Sequence, residues 1–182
     1  MTDISLRAPT FRSADPYRDT DVIDARAPRF NQAFVGALSL VAVVTGWWPL
    51  LALLAGQLAI GLYIGRRYCL PCLFYFEVVQ PRFGEGPLED SRPPRFANHV
   101  GLAVLTLAAV AFVSGLPLLG AALGALVAGL ALLAAATGFC LGCWMYRLVA
   151  PRLGVSLRHL DPATMCADCA VPPADGDQRR GC

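Results

Sequence analysis

The chain has 182 residues, of which 56% are hydrophobic and 15% charged, with a formal net charge of +2; an ordinary soluble domain is roughly 25% charged. That length suits one domain rather than two, and the apolar excess argues against a water-soluble globule. So small a net charge gives little general attraction to nucleic acid, which is not expected as a partner.

The first element, residues 1–23, is a polar arm rich in Asp and Arg that lacks the apolar stretch of a secretory signal; a flexible arm is expected. Residues 24–84 then open on "DARAPRFNQ" (24–32) and run into an uncharged apolar stretch over 34–64. A membrane span takes roughly 20 apolar residues, so the stretch is too long for one helix and suits two. "GWWP" (46–49) supplies the turn, and proline suits the first position of the helix that follows. The expected spans are 28–48 and 49–68. "YCLPC" (68–72) and an aromatic segment close this unit, and residues 85–89 connect it to the next.

Residues 90–158 repeat the plan. "DSRPPRFAN" (90–98) echoes the first opening, "SGLP" (114–117) makes the turn, and spans are expected over 94–115 and 117–139. "TGFCLGC" (137–143) ends the apolar run, and "CLGCWMYRLVAPRLG" from Cys140 echoes "CLPCLFYFEVVQPRFG" from Cys69. Matching motifs at both ends of each unit make chance similarity a poor explanation. The expected fold is an all-α membrane protein of four transmembrane helices, built as two duplicated helical hairpins. Because each unit holds two spans, both enter from the same side, giving a parallel repeat about a pseudo-two-fold axis along the membrane normal. The tail, 159–182, is polar and Pro/Gly-rich, and is expected to be flexible around Cys166, Cys169 and Cys182.

Charge sets the expected orientation. All 15 basic residues are arginines, and neither hairpin turn contains one. Short Arg-rich segments stay cytoplasmic, which predicts a multi-pass inner-membrane protein with both termini and all cysteines on the cytosolic side. Trp47 and Trp48 would lie at the opposite interface. Asp24 and Asp90 are placed to cap helices or to pair with charge, while Arg26, Arg29, Arg92 and Arg95 are placed to meet lipid phosphates.

The cysteines carry the chemistry. Cys69/Cys72, Cys140/Cys143 and Cys166/Cys169 are three C-x-x-C pairs, and in a reducing cytosol such pairs more often bind metal or exchange electrons than form structural disulfides. The spacing puts both sulfurs on one helix face. If the first two pairs end equivalent helices, the repeat sets them at one depth. Four converging thiolates would then suit zinc or an iron–sulfur cluster, with Cys69, Cys72, Cys140 and Cys143 as ligands. Alternatively the same pairs pass electrons or sulfane sulfur, with Cys166/Cys169 as an exchange arm. A position at a helix C-terminus disfavours a thiolate, whereas nearby Arg66, Arg67 and Arg147 favour one. "CLPC" also shares with the thioredoxin-type "CGPC" a proline before the second cysteine, without the strand-to-helix setting.

Other polar candidates are few. His99 at the start of the third span is a candidate ligand or proton carrier, although an interfacial histidine is more often simply solvated. Gln57 is explained by an interhelical hydrogen bond. Gly120 and Gly124 form one G-x-x-x-G, which suits helix packing inside the chain or a homo-oligomer face. No carboxylate or arginine lies within the apolar stretches 34–64 and 100–139 to mark an ion path, which counts against a proton-coupled transporter.

The D-x-R-x-P-R-F openings, the "TGFCLGC" ending and the duplicated hairpins resemble a bacterial integral membrane family, the domain of unknown function DUF4395, from about Asp24 to Gly154. The resemblance implies a membrane protein of about four helices and, by association, a thioredoxin-like or sulfurtransferase partner. Three functions compete: thiol redox or sulfur transfer at the cytosolic face, a scaffold or sensor that binds zinc or an iron–sulfur cluster through four cysteines, and a carrier of soft metals or sulfur compounds. A quinone-linked disulfide generator also joins four helices to two cysteine pairs, but acts on the oxidising side, against the arginine distribution.

Overall fold

The computed structural model describes Tyr17 and residues 22–84 and 86–153. In chain order these are strand β1 (Val22–Asp24), helices α1 (Arg26–Thr45), α2 (Pro49–Ala59), α3 (Leu70–Phe74) and α4 (Gln80–Phe83), strand β2 (Leu88–Asp90), and helices α5 (Arg92–Val113), α6 (Pro117–Thr137) and α7 (Leu141–Val149). A π-helical turn, Ile60–Ile64, prolongs α2, and another, Tyr75–Val79, joins α3 to α4.

Three helices, α1, α5 and α6, are long and apolar enough to cross a membrane. The expected second span is shorter: its helical run, Pro49–Ile64, stops at Gly65, where φ 128 and ψ 166 leave the helical region before Arg66 and Arg67. The two turns lie where expected. Gly46 takes a left-handed φ of 69 and Gly115 a φ of 77, which glycine adopts without steric cost, and Pro49 and Pro117 begin the returning helices.

Packing is most extensive between α1 and α6, then between α5 and α6 and between α2 and α5. The bundle core contains Val35, Ala42, Leu51, Leu54, Leu58, Leu105, Ala108 and Val127. Small residues bring the backbones together. A Cβ on Gly36 would stand 3.0 Å from the Leu132 backbone nitrogen, and one on Gly124 2.8 Å from Val43. Gly120 lies against Phe112, so both glycines of the G-x-x-x-G are used within the chain. Large apolar side chains point outward on the same helices, with Leu118 85% and Val44 77% exposed. Such a surface is costly in water and ordinary in lipid.

Two findings depart from the expected all-α fold. Residues 22–24 and 88–90 form a two-stranded antiparallel ladder, Val22 opposite Asp90, Ile23 opposite Glu89 and Asp24 opposite Leu88. Each strand leads into a long helix, and its final aspartate accepts the N–H of that helix's first residue: Arg26 to Asp24 Oδ1 and Arg92 to Asp90 Oδ1, both 2.9 Å. The expected flexible arm also has one anchored point. Tyr17 donates to Glu77 Oε1 at 3.0 Å and meets Phe76 edge-on.

Candidate functional site: two cysteine pairs at helix starts

The cysteine pairs do not end the apolar helices that precede them. Each begins a new short helix after a glycine break. Gly65 separates α2 from the Cys69 segment, and Gly138, at φ 74, ends α6 before Cys140. Cys69 (φ −83, ψ 111) and Cys140 (φ −94, ψ 112) are extended N-cap residues of α3 and α7. The expected helix C-terminal position, and the disfavoured thiolate that went with it, is therefore corrected. At a helix start the unpaired N–H groups and the macrodipole favour negative charge.

The second cysteine of each pair faces the first. The Cys72 thiol donates to Cys69 Sγ at 2.9 Å, and the Cys143 backbone N–H reaches Cys140 Sγ at 3.4 Å. A hydrogen bond from the Cys72 thiol, helped by its N–H and by Gln57 and opposed by burial, draws the Cys69 thiol down to about 6. Cys140 is likewise drawn to about 6, by the Cys143 thiol first, then its N–H, Gln32 and the Gly142 N–H, again against burial. The partners Cys72 and Cys143 move the opposite way, because each donates its proton to a neighbouring thiolate and is itself buried. Each pair therefore holds one ready thiolate and one retained thiol.

The surroundings of the two pairs differ. Cys69 is 4% exposed, and a Cβ on Gly61 would touch its sulfur at 3.3 Å. It is reached through a cavity of about 120 Å³ lined by Cys69, Cys72, Arg66, Arg95, Asn31 and Asn98. Cys140 lines a second cavity of about 180 Å³ whose walls are mostly apolar residues of α1, α5 and α6. Asn31, Leu58 and Asn98 line both. Asn31 is 6% exposed, donates to Asn98 Oδ1 at 3.5 Å, and keeps a buried Oδ1 without a hydrogen-bond partner.

One packing device holds both cysteine helices. Phe30 stands 5.9 Å from Tyr75 at 44°, and Phe96 stands 5.6 Å from Tyr146 at 43°. The phenylalanine of each D-x-R-x-P-R-F opening thus grips the tyrosine three residues after each second cysteine. Around the first pair the lock is tighter, since Asp24 Oδ2 also accepts from the Tyr75 hydroxyl at 3.0 Å and the Gly86 N–H at 2.9 Å.

Among the described residues, no three His, Cys, Asp or Glu side chains gather to hold a metal ion. The sulfurs associate within each pair, Cys72 with Cys69 and Cys143 with Cys140. Cys166, Cys169 and Cys182 lie outside the described residues. His99 turns its Nδ1 to the Arg95 carbonyl at 2.8 Å and its ring edge-on to Tyr63. Gln57 lies near enough to Cys69 to help draw its thiol down, while its buried Nε2 makes no hydrogen bond among the described residues. Sequence reasoning passed over Gln32, Asn31 and Asn98; their signal was amides directly after the opening phenylalanines, two in "FNQ" and one in "FAN".

The family described as Domain of unknown function (DUF4395) matches residues 23–150, and the chain belongs to that family. No curated protein and no solved structure matches it.

Proposed function

We propose that this chain is a membrane-embedded dithiol–disulfide exchange protein, in which Cys69 and Cys140 attack and Cys72 and Cys143 resolve. One observation carries the proposal: each pair caps a helix start with a low-pKa first cysteine and a second cysteine that shares its proton with the first. In the exchange step the thiolate attacks one sulfur of a partner disulfide, forming a mixed disulfide and expelling the other sulfur as a thiolate. The retained thiol then gives up its proton and attacks the first cysteine's sulfur. That closes the pair's own disulfide and releases the partner as a dithiol, so two electrons pass to the partner. The 2.9 Å between Cys69 and Cys72 leaves under about 1 Å to close to bonding distance.

In the arrangement we envisage, four spans form two parallel copies of one hairpin, the second span being the short one. The copies' shared capping aspartates, Phe–Tyr grips and cysteine N-caps support this. The cytosolic placement of both pairs rests on the arginines. A thioredoxin-like or sulfurtransferase protein fits as the partner, and Cys166/Cys169 as the arm that meets it.

The test is trapping. Cys72→Ala and Cys143→Ala proteins should each hold a mixed disulfide with an oxidised thioredoxin-like protein, and Cys69→Ala and Cys140→Ala proteins should not. Recovery of one zinc or one cluster per chain, lost on Cys→Ser replacement, would instead establish the metal-binding alternative. Trapping that is indifferent to which cysteine is removed would refute the assigned roles.

A further inference from the structure

The two cavities call for different reactants, and the second is built for an amphipathic one. Its end near Cys140 carries the amides Asn31, Gln32 and Asn98, while Val104, Leu126 and Leu130 line the remainder. From Ala134, near the polar end, to Leu126 is eight residues of α6, roughly 12 Å along the helix. A ligand filling this space needs a polar head beside the thiolate and an apolar body leading away. The rim is apolar and outward-facing, with Leu126 52%, Met145 47% and Leu130 39% exposed, so entry is from lipid rather than water. Asn31, buried and shared with the other cavity, adds a third amide to this end. The cavity at Cys69 instead carries Arg66 and Arg95 and suits a water-borne partner.

We infer that the cavity beside Cys140 takes a lipid-soluble quinone and that the Cys140/Cys143 dithiol reduces it. This rests on the dithiol reading of the pairs. In the step, the Cys140 thiolate and Cys143 thiol form a disulfide and release two electrons and one proton. The quinone takes both electrons with that proton and a second one from water, leaving as the quinol. The amide N–H groups of Gln32 and Asn98 suit the quinone carbonyl. The exchange described above, run in reverse, reloads the pair from a cytosolic dithiol, so electrons pass into the membrane with no need of an outward-facing pair.

The full chain, reduced and placed in quinone-free lipid nanodiscs without oxygen, is given a fully ring-substituted benzoquinone with a decyl tail, a ring that cannot add thiols at a free position. Quinol formation is followed by absorbance and the cysteine pairs by mass spectrometry. The expected result is one quinol per Cys140–Cys143 disulfide, with a rate lowered at least tenfold in Cys140→Ser and Cys143→Ser. Leu130→Trp should raise the half-saturating quinone concentration at least tenfold, while Leu118→Trp, in the far turn, should not change it; circular dichroism checks that both retain their helix content. Glutathione disulfide serves as a parallel water-soluble oxidant. If it closes the pairs and the quinone does not, or if the quinone works equally well without Cys140, the inference is overturned and the dithiol reading stands. If neither oxidant closes a pair, both fall.

Discussion

Cys69 and Cys140, each drawn down to about 6 by its partner thiol, are mostly thiolate at pH 7, whereas an ordinary thiol is mostly protonated there. The shift is downward, so the reactive form persists above pH 6 and is lost as the pH falls through it. Iodoacetamide should therefore label Cys69 and Cys140 first, at a rate level from about pH 7 upward and falling about tenfold per unit well below 6. Peptide mass spectrometry over a pH series reads this directly, and a midpoint near 8.5 at both sites would contradict it. The amides make a second prediction. Gln57→Leu removes the polar amide near Cys69, an influence of at most about 1 kcal/mol, so the Cys69 midpoint should rise by less than about one unit while that of Cys140 stays put. An unchanged Cys69 profile would show that Gln57 only packs. At this scale the C-x-x-C spacing was legible in the sequence. The direction of the thiol shifts was not, because it depends on which helix end the first cysteine occupies.

That question belongs to the elements. Gly65 and Gly138 break the apolar helices just before the cysteines, yet glycine is common inside membrane helices, so neither stood out in a run of Ala, Leu and Gly. The turns at Gly46 and Gly115 were readable because proline followed each within three residues. The three-residue strands carry too little pattern to detect, and their pairing is long-range. The π-turn at Tyr75–Val79 has a local cause: the segment from Cys69 to its P-R-F-G is one residue longer than its echo from Cys140, and a π-turn absorbs a single inserted residue. The two cysteine helices are also seated differently. Pro71 is buried in the first turn of α3, whereas its counterpart Gly142 lets α7 approach α5 so closely that a Cβ there would stand 2.8 Å from the Ala97 Cβ. Gly142→Val should push α7 off α5 at a cost of about 1–3 kcal/mol. Its expected signature is slower closure of Cys140/Cys143 by glutathione disulfide, with Cys69/Cys72 unaffected. Equal slowing of both pairs would point to general unfolding instead.

At the scale of the whole molecule, the surface divides as the charges do. Apolar side chains face outward along the bundle. Beyond its cysteine end, α7 presents Leu141, Trp144, Met145, Leu148 and Val149 on one outward stripe, 41% to 50% exposed. That 3–4 residue spacing suits a helix lying in the headgroup region, which would hold Cys140 and Cys143 at the boundary between lipid and water. Hydropathy made the bundle legible from the sequence, but the stripe on α7 had meaning only once a helix was known to start at Cys140. With every arginine outside the hairpin turns, turning the molecule over would carry the Arg-rich arm, loop and tail across the membrane, against the bias that orients short loops. Two single-cysteine proteins test the orientation, one retaining only Cys143 and the other carrying only Ser114→Cys in the second turn. A membrane-impermeant maleimide should label Cys143 at least tenfold faster in inverted than in right-side-out vesicles, and the Ser114→Cys protein the other way round. The opposite pattern would place the pairs outside the cytosol, where the partner would be an exported protein rather than a cytosolic dithiol. Equal labelling of both sites from one side would mean that the hairpin does not cross, and that the second unit lies on the membrane instead of spanning it.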